Sequence, residues 1–119
     1  MNEKCTIYRT ADFLGKRWTL LILLELYKGE DKTRRYSDLK RKLPGITAKI
    51  LSMRLKELDD EKLVSKKVDT SEFPIKCEYT LTPAGNSFIN IVQDMKKWAL
   101  KWKVHNITCE NTECEHCKF

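Results

Sequence analysis

Residues 36–63 read YSDLKRKLPGITAKILSMRLKELDDEKL, and the spacing of their leucines decides how the rest of the chain is organised. Leu39 and Leu43 stand four apart, which puts both on one face of a short helix that Ser37, a good N-cap ahead of Asp38, can start. Pro44-Gly45 stops that helix. Thr47 can cap a second one, in which Leu51, Leu55 and Leu58 recur at i, i+4 and i+7 as a stripe against a core. On a helical wheel Lys49, Ser52, Met53 and Lys56 fall opposite that stripe, with Thr47 at the leading end and Arg54 at the edge. Two helices joined by a tight glycine-containing turn, the second with a cationic and small-polar outer face, have the outline of a DNA-binding helix-turn-helix. A helical hairpin that only packs has polar outer faces too, so the sequence that follows carries the decision.

After Leu63 the periodicity changes from helix to strand. Val64 to Asp69 and Ile75 to Leu81 read as two strands, and in the second Ile75, Cys77, Tyr79 and Leu81 alternate with Lys76, Glu78 and Thr80. TSEFP supplies the turn between them. A β-hairpin directly after a recognition helix is a wing, here residues 64–81. From it Lys66, Lys67 and Lys76 can reach phosphates at the flank of the groove the helix enters, as Arg41 and Lys42 can from the first helix. The base readers would be Thr47, Lys49, Ser52, Met53, Arg54 and Lys56.

The net charge is +6, and its location says more than its size. Residues 28–67 hold 13 Lys/Arg against 7 Asp/Glu, whereas the rest of the chain holds 10 of each. The whole basic excess therefore lies on and around the helix-turn-helix, as expected of a face that meets a polyanion; a merely solvated basic face is the alternative. At 119 residues the chain is one domain with a real core. No apolar run approaches the roughly 20 residues needed to span a bilayer. The start, Met1-Asn2-Glu3-Lys4-Cys5, leads into polar sequence, so a cytoplasmic protein without membrane contact is expected.

Upstream, CTIYRTADFL (residues 5–14) carries Ile7, Tyr8, Ala11 and Leu14 on one side of a short helix that Gly15 ends. RWTLLILLELY (17–27) is apolar nearly all round and marks the central helix, and the EDKTRR that follows Gly29 reads as a polar loop. Thr82-Pro83 opens the last helix, residues 83–102, with threonine as N-cap and proline at the first position. Phe88, Val92, Met95, Ala99 and Trp102 step along it by 4, 3, 4 and 3, a two-heptad seam widened by Ile89 and Trp98. So long a stripe exceeds the needs of a small core. It reads as a dimer contact, with Ile7, Tyr8 and Ala11 beside it; the alternative is that the helix folds back on its own chain.

The motifs in order are Gly15-Lys16-Arg17-Trp18-Thr19-Leu20-Leu21-Ile22-Leu23, Tyr36-Ser37-Asp38-Leu39, Leu43-Pro44-Gly45-Ile46, Leu51-Ser52-Met53-Arg54-Leu55-Lys56-Glu57-Leu58, Leu63-Val64 and Glu78-Tyr79-Thr80-Leu81-Thr82-Pro83-Ala84-Gly85. Together they resemble the HxlR-type regulators, relatives of the MarR winged-helix regulators, over about residues 5–102. The resemblance implies a mainly α fold with a small antiparallel β-hairpin, a winged helix-turn-helix (domain 1–102) dimerising through its N- and C-terminal helices. It implies a homodimeric transcription regulator whose two recognition helices enter successive major grooves of a palindromic double-stranded operator. Many members of that family carry a cysteine just before the first helix as a thiol switch for oxidants, quinones or aldehydes, and Cys5 stands there; an inert small residue at the dimer contact is the alternative. Three features depart from the family: the length of EDKTRR, Lys62 where glycine is usual, and the tail, residues 103–119.

That tail reads KVHNITCENTECEHCKF. Cys109, Cys114 and Cys117 form C-x4-C-x2-C, and with His105 they would make a Cys3His zinc site. An iron–sulfur cluster is the lesser metal reading, since its fourth ligand would have to come from Cys5, Cys77 or another chain. A redox pair such as Cys114/Cys117, or no role, are the other readings. Two other functions compete with DNA binding: a thiol oxidoreductase using the tail, and a winged helix that binds protein. Against an enzyme, there is no glycine-rich phosphate loop, no C-x-x-C on a βαβ unit and no Ser/His/Asp set, both histidines lying in the tail.

Overall fold

A computed structural model describes residues 3–71 and 73–118. The first helix, α1 (Thr6–Leu14), ends where Gly15 N–H donates to the Ala11 carbonyl at 2.8 Å. The central helix α2 (Thr19–Lys28) follows, and Ile22, Leu23 and Leu26 on it are fully buried. Its one buried acid, Glu25, is met by Lys28 at 3.3 Å and by Arg34, whose Nε also donates to the Glu25 carbonyl at 2.7 Å, so the charge is not left unpaired.

EDKTRR is not a plain loop. Glu30–Lys32 make a 3₁₀ turn and Thr33–Arg35 a short strand, β1. The helix-turn-helix comes next: α3 (Tyr36–Lys42), a turn through Gly45 at φ +94°, and α4 (Ala48–Asp60). That turn needs glycine, because the left-handed region carries a Cβ penalty for other residues. Ser37 does not cap α3. The helix starts two residues earlier, with Arg35 at the N-cap and no capping side chain among the described residues, because the backbone arrives extended from β1. Thr47 caps α4 as expected, its Oγ1 accepting from Ile50 N–H at 3.1 Å, and Leu51, Leu55 and Leu58 face the core.

Two longer strands, β2 (Val64–Asp69) and β3 (Lys76–Leu81), form the wing, one residue shorter at Ile75 than the alternation suggests. They pair antiparallel, Val64 opposite Leu81 through Asp69 opposite Lys76. β1 adds to the other edge of β3, Thr33 opposite Thr80, giving a three-stranded sheet in the order β1-β3-β2 rather than a lone hairpin. The pair is tied at its end by the Thr33 and Thr80 hydroxyls, 2.8 Å apart.

The long helix α5 (Pro83–Trp102) is capped by Thr82, whose Oγ1 accepts from Gly85 N–H at 3.1 Å. Gly85 is buried against the corner before β2: a Cβ there would stand 2.1 Å from the Leu63 carbonyl oxygen. Ile89 and Val92 close the core from this side. The tail then turns back. A one-turn helix α6 (Ile107–Glu110), capped by Asn106, and a 3₁₀ turn at Cys114–His116 lie over α2 and α5. Lys96 holds the Thr112 carbonyl at 2.7 Å, and Lys32 reaches Glu115 at 3.3 Å while resting on the Tyr27 ring. Among the described residues no helix is long and apolar enough to cross a membrane.

Candidate nucleic-acid interface

The buried stripe of α4 fixes which of its side chains face outward. Thr47, Lys49, Ser52, Met53 and Lys56 are all exposed, as the helical wheel requires. Ser52 is steadied from α3, where the Tyr36 hydroxyl lies 3.2 Å from its Oγ and donates to the Ala48 carbonyl at 3.1 Å. The sequence gives no signal for this brace, because Tyr36 looks like an ordinary helix-start residue. Lys56 has only a loose partner, Asp60 at 3.6 Å, with both side chains well exposed.

Arg54 differs from its expected role at the edge of this face. Its side chain is only 15% exposed, Nε donates to the Arg17 carbonyl at 3.2 Å and Nη1 to Glu57 at 2.8 Å. Glu57 in turn takes Lys16 at 3.0 Å. The Lys16-Arg17 link before α2 therefore clamps α4, and Arg54 is engaged in that clamp. The wheel cannot reveal this, since the accepting carbonyl belongs to a distant stretch of the chain.

The expected phosphate contacts lie on α3 and on the wing. Arg41 and Lys42 are exposed at the end of α3, Arg41 within 3.1 Å of Asp38. On the wing Lys66 and Lys67 are exposed and Lys76 is half-buried. In the wing turn Ser71 donates both its N–H and its hydroxyl to Asp69, which holds that carboxyl below the usual aspartate range. Tyr79, where the wing meets the core, is pushed well above the ordinary phenol range by burial and by its hydrogen bond with Cys77, so it stays neutral.

The expected dimer residues divide. Val92 is buried and Phe88 half-buried against the chain's own core, and Ala99 is half-buried. Ile7, Tyr8, Ala11, Met95 and Trp102 are exposed. The outward stripe of α5 is Ile91, Met95, Trp98 and Trp102, again stepping by 4, 3 and 4 but starting at Ile91 instead of Val92. The seam faces out in a slightly different phase, because the helix spends its other face on α2.

All five cysteines carry thiols and all are half-buried, Cys5 at the N-cap of α1. Cys109, Cys114 and Cys117 line a cleft of about 470 Å³ with Leu20, Leu24 and Leu100 of α2 and α5. His105 is exposed outside that lining, so the four expected zinc ligands are not brought together. Among the described residues no three His, Cys, Asp or Glu side chains are grouped to hold a metal ion, whether zinc or the iron of a cluster.

A capped recognition helix, a wing on its flank and cations around both define a winged helix-turn-helix DNA-binding regulator. The chain belongs to the HxlR-like helix-turn-helix family, whose match spans residues 13–107. It is 35% identical over 120 residues to the HTH-type transcriptional regulator YodB of Bacillus subtilis, covering 98% of both chains. The reduced form of YodB overlays with a TM-score of 0.72 at 34% identity, over 86% of this chain and 97% of that one. The redox regulator HypR in its oxidised form gives 0.72 at 29% identity, over 84% and 99% of the two chains. A MarR-family regulator from Porphyromonas gingivalis W83 gives 0.74 at 32%, over 86% and 96%. The relatives are named as regulators of transcription, and no enzyme family is indicated.

Proposed function

We propose that two copies of this chain pair through α5 and α1 and set their α4 helices into successive major grooves of a palindromic operator, with residues 1–102 as the DNA-binding unit. The observation that carries this reading is the outer face of α4. Thr47, Lys49, Ser52, Met53 and Lys56 project as one exposed set, polar but for Met53, from a helix whose opposite face is fixed in the core. Lys49 and Ser52 suit base edges; Arg41, Lys42, Lys66, Lys67 and Lys76 suit phosphates. The thiols give the molecule a means of responding to oxidants or electrophiles, with Cys5 the first candidate. YodB and HypR have been described in reduced and in oxidised or diamide-treated forms, which favours that response here.

The test is binding to a duplex enriched by the wild-type protein, measured over a salt series. Affinity should fall linearly on logarithmic axes, and Lys67→Ala should lower the slope by about 1 while weakening all duplexes alike. Lys49→Ala should instead cost about 1–3 kcal/mol on the enriched duplex and relax the choice at one base pair. Affinity indifferent to salt, or both variants binding like wild type, defeats the docking.

A further inference from the structure

The wing has an apolar side that phosphate contacts do not explain. Directly opposed residues in an antiparallel pair share one face of the sheet, and here Val64 opposes Leu81, Lys66 opposes Tyr79 and Val68 opposes Cys77. Two residues further out the same alternation brings Ile75 to that face. At its base, with Val64, Tyr79 and Leu81, the face is core. Toward the tip it is bare: Val68 is 51% exposed, Ile75 59% and Phe73 96%.

This tip adjoins the reading face. Phe73, Pro74 and Ile75 form one side of an open groove of about 440 Å³ whose other side is Arg35, Tyr36 and Ser37. Tyr36, which lines this groove, also touches Ala48 and Ser52 of α4, so one side chain links the groove to the recognition helix. The surroundings are cationic, with Lys66, Lys67 and Arg35 exposed nearby. One of the turn's two acids, Asp69, is engaged by Ser71 at 2.9 and 2.6 Å; the other, Glu72, precedes Phe73 in the sequence. An apolar protein partner seated here would have to desolvate those cations, whereas a duplex meets them with phosphates.

We propose that Phe73 is an apolar wedge that enters the minor groove of the bound duplex, beside the major groove read by α4. The inference rests on the DNA-binding reading and adds a residue and a mode of recognition to it. A minor groove is too narrow for a helix but admits a single side chain, and an aromatic ring placed there can unstack adjacent base pairs. Phosphates on either side would then lie near the wing cations. Because unstacking costs least at flexible pyrimidine–purine steps, Phe73 would confer a preference in the flank without any hydrogen bond to a base.

The test uses the full chain and a duplex enriched from a randomised pool, with 2-aminopurine moved base by base through its flanks. Wild type should raise the fluorescence at one flanking step. Phe73→Ala should abolish that rise and weaken binding about tenfold, with the salt slope unchanged because no phosphate contact is lost. Phe73→Trp should keep both signals. Wild-type affinity in Phe73→Ala, or a fluorescence rise that survives it, overturns the wedge alone. A pool that enriches no sequence defeats the DNA-binding reading itself, and the wedge with it.

Discussion

Lys62 turns the chain from α4 into β2 at φ +65°, a conformation in which a side chain crowds its own backbone. The corner is nevertheless closed: Lys62 N–H donates to the Asp59 carbonyl at 3.1 Å and Leu63 N–H to Leu58 at 3.0 Å. The Lys62 carbonyl accepts from the Thr82 hydroxyl at 2.6 Å, which ties the corner to the start of α5. Lysine at this left-handed position thus leaves the geometry intact and stores strain in one residue. Lys62→Gly relieves that strain, partly offset by the added freedom of the unfolded chain, and should stabilise the protein by about 0.5–1 kcal/mol. Urea unfolding should show a higher midpoint with an unchanged slope. A lower midpoint would mean that the lysine side chain itself holds the corner.

The position of α4 depends on how it is held as well as on what it displays. Its inner stripe sets its rotation, while the Arg54–Glu57–Lys16 cluster and the Arg17 carbonyl fix its hinge side against the start of α2. Arg54 and Glu57 are largely sheltered, so losing Arg54 strands a carboxylate and a carbonyl; Lys16, 41% exposed, compensates only weakly. Arg54→Ala should therefore cost about 1–2 kcal/mol of stability, weaken DNA binding on every sequence and leave base preference unchanged. A shifted base preference with an unchanged melting temperature would return Arg54 to the reading face. Such roles mark the limit of sequence. The stripes of α2, α4 and α5 were legible because each repeats every three or four residues against one core, and Thr47 and Thr82 because caps act locally. β1 was not, since Thr33-Arg34-Arg35 is short and polar and its place in the sheet depends on pairing with the distant β3. The tail shows the same limit: cysteine spacing suggested a metal, but spacing does not say that Asn106 would cap a turn laying those thiols on α2.

For the whole molecule the outstanding quantity is uncovered apolar surface. Ile91, Met95, Trp98 and Trp102 on α5, with Ile7 and Tyr8 on α1, stand exposed, more than a small monomer ordinarily leaves bare. Lys101 and Lys103 rest near the Trp102 and Trp98 rings, at 5.2 and 6.0 Å, bordering the stripe with charge as the rim of an interface would be. Each copy carries +6, so two copies repel one another and the proposed dimer would have to form through apolar burial. Two opposite responses to salt follow. Added salt screens that repulsion and should tighten the dimer, while it opposes counterion release and should weaken DNA binding. Trp98→Glu combined with Trp102→Glu should give a monomer by light scattering at micromolar concentration. Both side chains lie outside the core, so the variant should keep its helical content. Its affinity for a single half-site should match wild type, and only its affinity for the paired site should fall, because the two recognition helices would no longer be joined. If the doubly substituted chain remained a dimer, the pairing surface would have to lie elsewhere than on α5; equal losses on half-site and paired site would show instead that the tryptophans act within one copy.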